Sequence, residues 1–538
     1  MLKKYLKVIL LVFLASTILV SCQRQEVSKP LVWGIPYDVE TLNPLFTEMA
    51  VETDILNCIF STLIKVNDKQ EFVPDLLAEM PQISEDGLEY SFTLRQDVKF
   101  HDGQELTAED VKYTYEMKMA ENNAVPDRYI WERIDTFRVT DKYNFKIKLK
   151  SKDVTWLENL AYANAMIVPK HILEEEFNAG GNAVSKGGDF SRNPVGSGPY
   201  KFVEWKTNEY IKLEAYDDYY RGAPAIKEII FKVAGDSNSL LAQFAGGEID
   251  IYDRAEANQY GELLQLKEEK DIEVYKYPSY VYLHADFNLR NPIFQDKKVR
   301  QALNYAFPKD SFIENVLGGV GIAAHTYIPP WSWAYNPDVK KYDYNPDLAS
   351  ELLDEAGWLR GEDGVRVKDG VRLEFTINTN TGDSIREKFE VIAKQEWEKI
   401  GTKVNIQNYE PGTLVGDILQ NVKFDIIVFA WKSGFDPNAE NLWHSQQRPD
   451  LFGTGQNYIG FADQRVDELL EAGLQEQARE KRISIYREIQ QILSEEAPCI
   501  FVYFYNDLTA VPSGLKNFKP NPTQANNTWN IWEWELES

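Results

Sequence analysis

The stretch from residue 373 to residue 430 reads LEFTIN (373–378), SIREKFEVIAKQEWEKI (384–400), KVNIQ (403–407), TLVGDILQ (413–420) and DIIVFA (425–430). In LEFTIN the apolar residues Leu373, Phe375 and Ile377 alternate with polar ones, the period of a strand, whereas 384–400 is long and carries the wider spacing of an amphipathic helix. The segment therefore predicts strand, helix, strand, helix, strand. Helical crossovers between short strands place the strands in one sheet with helices laid on it, an α/β layered domain. A helix at 347–356 precedes the segment. A long helix at 463–495 and a strand at 500–505 follow it.

Upstream the pattern changes. Residues 280–287 read as a strand, and 296–306 as an amphipathic helix with Val299, Leu303 and Ala306 on one side. Strands are expected at 200–205, 211–215 and 226–233, and a helix at 237–245. Residues 177–193, rich in Gly, Ser and Asn, form the clearest loop or boundary. Before that boundary come a strand at 31–36, a helix at 51–64, and a half-buried strand at 89–99 bounded by Asp86-Gly87 and Asp102-Gly103 turns. Thr107 with Asp110 three residues on resembles a capping box opening a helix. Residues 137–150 alternate around Asp141 as a hairpin. There is no internal repeat and no low-complexity tract.

Composition narrows the class. The chain has 538 residues, 43% of them hydrophobic, enough for two or three domains with a large core. Its formal charge of -26 repels nucleic acid and anionic lipid surfaces, so neither is expected as a partner. Lys3, Lys4 and Lys7 precede an uncharged apolar run at 8–20, too short to span a bilayer and suited to a secretion signal. Leu19, Val20 and Ser21 before Cys22 resemble a bacterial lipoprotein box. Residues 1–21 are thus expected to be removed, Cys22 to be lipidated, and 22–30 to serve as a polar tether. Cys58 and Cys499 sit among apolar residues and read as buried free thiols. No Gly-x-Ser-x-Gly, His-Glu-x-x-His or Gly-x-x-x-x-Gly-Lys motif is present, so catalysis has no sequence support. His101 has no second His or Cys at ligand spacing, and His171, His284, His325 and His444 are equally dispersed. No metal and no cofactor are expected.

Several further motifs occur in a definite order: LNP (42–44), VPDLLAE (73–79), Leu94-Arg95, FHDG (100–103), TAEDV (107–111), NPVGSGPY (193–200), GGEID (246–250) and VRQALNYA (299–306). In this order the chain resembles the family 5 extracellular solute-binding proteins, which include the oligopeptide-, dipeptide- and nickel-binding proteins of bacterial ABC importers. The resemblance implies a periplasmic-binding-protein type II fold of α/β class, with two ligand-closing lobes plus an extra insertion lobe. Lobe I would comprise 31–50, 192–281 and 504–538, lobe II 51–191, and lobe III 282–503. It further implies an extracytoplasmic, monomeric, non-enzymatic protein. That protein would bind a peptide or other small solute between its lobes, stay on the membrane through its lipid anchor, and deliver ligand to permease and ATPase subunits. An oligosaccharide ligand, or a role as a ligand-presenting sensor, are the alternatives.

The resemblance also proposes site residues. In peptide-binding relatives an aspartate three residues after a tryptophan pairs with the ligand's amino group. Here that segment is WKSGFDP (431–437), with Gly434 in the aspartate's place. Asp436 either turns inward to replace it or serves as a turn residue before Pro437. Glu48 and Ala50 fall where the N-terminal segment of such proteins pairs with the ligand backbone. The aromatic and arginine positions upstream of Trp431 correspond to Gly412, Leu419 and Val428. Glu410, Lys432 and Trp443 are polar or aromatic candidates nearby, and Trp431 is either a stacking platform or core.

Overall fold

The computed structural model describes residues 29–537 except 48, 124, 127, 182, 453, 454, 524 and 525. The signal segment, Cys22 and Glu48 therefore lie outside the described residues. One large sheet organises the fold. From one edge it runs Lys403–Ile406, Glu374–Asn378, Ile426–Lys432, Ile272–Phe287 and Cys499–Pro512. It then continues through Ile251–Tyr252, Leu31–Ile35, Glu228–Val233, Tyr210–Ala215 and Tyr200–Lys206. The first two strands pair in parallel, and Glu374–Asn378 also pairs in parallel with Ile426–Lys432. This is the α/β arrangement that residues 373–430 predict. Helix Ser384–Lys399 is the crossover, capped by Asp383, whose Oδ1 accepts from the backbone N–H of Arg386 at 3.0 Å.

Two strands are much longer than the sequence pattern indicates. Ile272–Phe287 has 16 residues and Cys499–Pro512 has 14, whereas the sequence reading places only 280–287 and 500–505 as strand. They pair antiparallel from Ile272 opposite Pro512 to Pro278 opposite Asn506, lapse, and resume from Tyr282 opposite Phe504 to Asp286 opposite Cys499. Pro278 offers no N–H and Ser279 is buried, so alternation is lost at the lapse and only one piece of each strand reads as strand.

The helix expected at 463–495 is a hairpin of two, Gln464–Gln475 and Arg479–Glu496. No Gly or Pro marks the break. It is made by Glu476, whose carboxylate accepts from the Ala478 N–H at 2.8 Å, and by close packing at Gly473, where a Cβ would stand 2.8 Å from the Tyr486 hydroxyl. The helix expected at 413–420 starts as one α-turn, Pro411–Thr413, and continues as a π-helix, Leu414–Leu419.

Separate apolar clusters fill the layers. Trp33 stacks on Trp534 at 6.0 Å beneath one end of the sheet, and Phe375, Phe389 and Trp397 fill the space under the other. Phe92, Phe145 and Trp156 fill a third cluster below a four-stranded antiparallel sheet that contains Glu89–Thr93, Ile134–Val139 and Asn144–Leu149. Cys58 and Cys499 are buried free thiols, and burial pushes both well above the ordinary thiol range.

The NPVGSGPY segment has a structural role. Gly196 N–H donates to His101 Nδ1 at 3.3 Å, which leaves His101 Nε2 to donate to the Gly198 carbonyl at 3.0 Å. Burial lowers the His101 pKa to about 4, so the ring is neutral and serves as a clasp for this loop. Gly198 N–H donates to the Ile59 carbonyl at 2.8 Å, and a Cβ on Gly196 would fall on that same carbonyl oxygen. Gly196→Ala is expected to lower stability by about 2–3 kcal/mol. Gly412→Ala, with nothing within 4 Å of the added carbon, is expected to stay near wild type. Urea unfolding midpoints compare the two directly.

Candidate ligand-binding cleft

A cavity of about 840 Å3 lies where strand Ile426–Lys432 leaves the sheet and faces the 3-10 helix Trp156–Ala161. The strand's first four residues are buried and its last three emerge, which brings Trp431 and Lys432 to the cavity wall. Beyond them the chain turns through Asp436-Pro437-Asn438. Asp436 Oδ1 accepts from the Asn438 N–H at 3.0 Å, and Asn438 Oδ1 from the Glu440 N–H at 3.2 Å, which starts helix Glu440–Trp443. Across the cavity, Asp153 Oδ1 accepts from the Thr155 N–H at 2.9 Å and sets the entry to the opposing helix.

The two walls touch. Glu158 Oε1 accepts from the Phe435 N–H and Glu158 Oε2 from the Asp436 N–H, each at 3.1 Å. The Phe72 and Phe435 rings meet edge-on at 5.8 Å, the Tyr280 hydroxyl donates to Gln70 Oε1 at 2.8 Å, and the Val154 N–H donates to the Leu474 carbonyl at 3.0 Å. Glu158 is only 9% exposed. Its burial, and next the Asp436 carboxylate, push its pKa up to about 7.

Of the residues singled out from the sequence, Trp431, Lys432, Gly434 and Asp436 line this cavity. Trp431 lies parallel to Tyr458 at 6.4 Å and edge-on to Phe429 at 5.1 Å, so it is braced from its own side of the cleft. Lys432 forms no ion pair or hydrogen bond among the described residues. Heavy atoms surround its side chain although water still reaches it, and burial, followed by repulsion from Arg254, lowers its pKa. Asp436 is engaged by Arg482: the guanidinium donates to both carboxylate oxygens at 2.7 Å and also reaches the Gly473 carbonyl and the Tyr486 hydroxyl. The carboxylate that the sequence offers as a replacement for the missing aspartate thus points into its own side of the cleft.

Three expected positions lie off this cavity. Trp443 is 3% exposed and packs among Tyr327, Phe461 and Phe501 as core. Glu410 is exposed ahead of the Pro411–Thr413 turn, and Ala50 is exposed at the start of helix Ala50–Ile59, its carbonyl accepting from Asn526 at 3.3 Å. The lining that sequence reading missed comes from the rest of the 433–456 segment, from 155–164 across the cavity, and from Tyr280 and Tyr327. The signal in 155–164 is slight: Glu158 and Tyr162 are one turn apart and joined here by a 2.8 Å hydrogen bond. Among the described residues no three His, Cys, Asp or Glu side chains converge as a metal site, and no helix is long and apolar enough to cross a membrane.

The sequence model of the bacterial extracellular solute-binding proteins, family 5 Middle, matches residues 71–450. The chain belongs to that family. It is 34% identical to the oligopeptide-binding protein AppA of Bacillus subtilis, over 96% of this chain and 94% of that protein. The solved structure of B. subtilis AppA in complex with a nonapeptide superposes with a TM-score of 0.78 at 32% identity, covering 95% of this chain and 99% of AppA. NikZ of Campylobacter jejuni, solved in complex with Ni(L-His), superposes with a TM-score of 0.79 at 29% identity, covering 94% and 99%. The fold is the periplasmic-binding-protein type II fold. This family 5 protein is an extracytoplasmic substrate-binding component of the peptide and nickel class of ABC importers, a transport binding protein and not an enzyme.

Removing one partner of a buried ion pair strands the other. Asp436→Asn is therefore expected to lower the stability of the ligand-free protein by about 2–4 kcal/mol, because it leaves the largely buried Arg482 uncompensated. Denaturant unfolding without added ligand measures it, and an unchanged midpoint would show that the pair is dispensable.

Proposed function

We propose that this protein is the lipid-anchored receptor of its importer and that it takes peptides or peptide-like solutes between two closing lobes. The observation that carries this reading is the cavity of about 840 Å3 between the 155–164 wall and the 431–442 wall, within the range of roughly 300–1,000 Å3 that holds ligands of this size. Its side-chain amides at Asn159, Asn164, Asn438 and Asn441 offer both donors and acceptors, which a peptide backbone requires. Trp431 and Tyr280 add aromatic faces for apolar side chains. Lys432, a cation without an ion-pair partner among the described residues, suits a ligand carboxylate where Gly412, Leu419 and Val428 supply no arginine. The likeness to AppA, solved with a nonapeptide, points the same way.

In this reading 31–50, 192–281 and 504–538 form one lobe, 51–191 a second and 282–503 the third, and one copy closing on ligand hands it to permease and ATPase subunits. Cys22, after removal of 1–21, carries the acyl chains that hold the receptor at the membrane, since more than one chain is needed for firm anchoring. Mass spectrometry of the molecules released on denaturing the purified protein is expected to recover peptides; glycans alone would overturn the ligand class. Cys22→Ala is expected to shift the protein from the detergent phase to the aqueous phase, and unaltered partition would refute the anchor.

A further inference from the structure

Among the described residues, the charged side chains of the cavity wall divide into paired and unpaired ones; Lys432, Glu440 and Glu158 form no ion pair, and of these Glu158 is the buried one. Arg133 on the wall is paired with Asp153, and Asp436 is paired with Arg482. Glu158, nine-tenths buried and lining the cavity, has no cationic partner among the described residues. Its oxygens accept from the Tyr162 hydroxyl at 2.8 Å and from the Phe435 and Asp436 N–H groups at 3.1 Å, three of the roughly four directions a carboxylate offers. Oε1 takes two of these bonds and Oε2 one, which leaves the open direction on Oε2.

We propose that Glu158, reaching across from the wall opposite residues 431–437, is the group that holds the cationic end of the ligand. A buried, hydrogen-bonded carboxylate without a countercharge is costly, and an ammonium brought by the ligand supplies the missing charge with a charge-assisted hydrogen bond. The same residue ties the walls together through the Phe435 and Asp436 N–H groups, so a ligand that satisfies Glu158 also favours their contact. The cation site thus belongs to the wall that carries residues 155–164, and Asp436 only presents its N–H.

This inference rests on the peptide reading, and the test separates the two. A random tri- to pentapeptide library with free amino termini and its N-acetylated twin are each presented to the protein, and binding is read by native mass spectrometry and calorimetry. Wild type is expected to prefer the free amines by at least about tenfold, and Glu158→Gln to bring that preference, read as the ratio of the two libraries' affinities for the same protein, to near unity whatever the change in overall affinity. Glu158→Asp, which keeps the charge but shortens its reach, is expected to retain part of the preference and serves if the glutamine variant folds poorly. A wild type that binds neither library overturns the peptide reading and this inference with it. Binding with no preference for free amines, or a preference that survives Glu158→Gln, overturns the Glu158 assignment alone.

Discussion

The pairing of Ile272–Phe287 with Cys499–Pro512 is the interaction on which the rest of the structure depends. These strands stand in the middle of the sheet, with the parallel α/β strands 374–432 on one side and strands 31–35 and 200–252 on the other. The two sides of the sheet are joined by backbone hydrogen bonds that lapse between Pro278 and Tyr282 and shift register again between Leu283 and His284. At the lapse the Ser433 N–H donates to the Tyr280 carbonyl at 2.9 Å, so the segment that begins at Trp431 is fixed to the irregular point of the ladder. That bond extends the ladder with Ile426–Lys432 by one step and fixes the start of one wall of the cleft.

The opposing wall is held by different means. It projects from the cluster of Phe92, Phe145 and Trp156 and meets the facing wall through one carboxylate, one aromatic edge and one backbone bond, from Val154 to Leu474. Such a contact is small and polar, and polar groups at a junction pair well with either the other wall or a ligand. The extensive apolar cores give each side rigidity. The sparse junction leaves their contact responsive to what lies between them.

How much of this was legible varies residue by residue. Residues 373–430 gave their strands and helix correctly because alternation and helical period follow from one-sided burial, which is local. Of the long strands only 280–287 and 500–505 are legible, because alternation fails at Pro278 and Ser279 in the one and where the pairing lapses in the other. The helix break at 476–478 left no mark because packing of Tyr486 against Gly473, not a breaker residue, fixes the hairpin. Trp431, Lys432, Gly434 and Asp436 were found because they follow one another in a motif, whereas Glu158 lies more than 270 residues away and meets them only in space.

By itself the sequence determined the family, the α/β class and the segment that forms one side of the cleft, because these depend on local periodicity and on the order of motifs. Tertiary structure decided the charges. Arg482 engages Asp436, His101 is a neutral clasp for the 196–198 loop, and Glu158 is left buried with no ion pair among the described residues. Which carboxylate remains free for a ligand depends on which cation comes within about 4 Å of it, and that distance is set by packing between segments far apart in the chain.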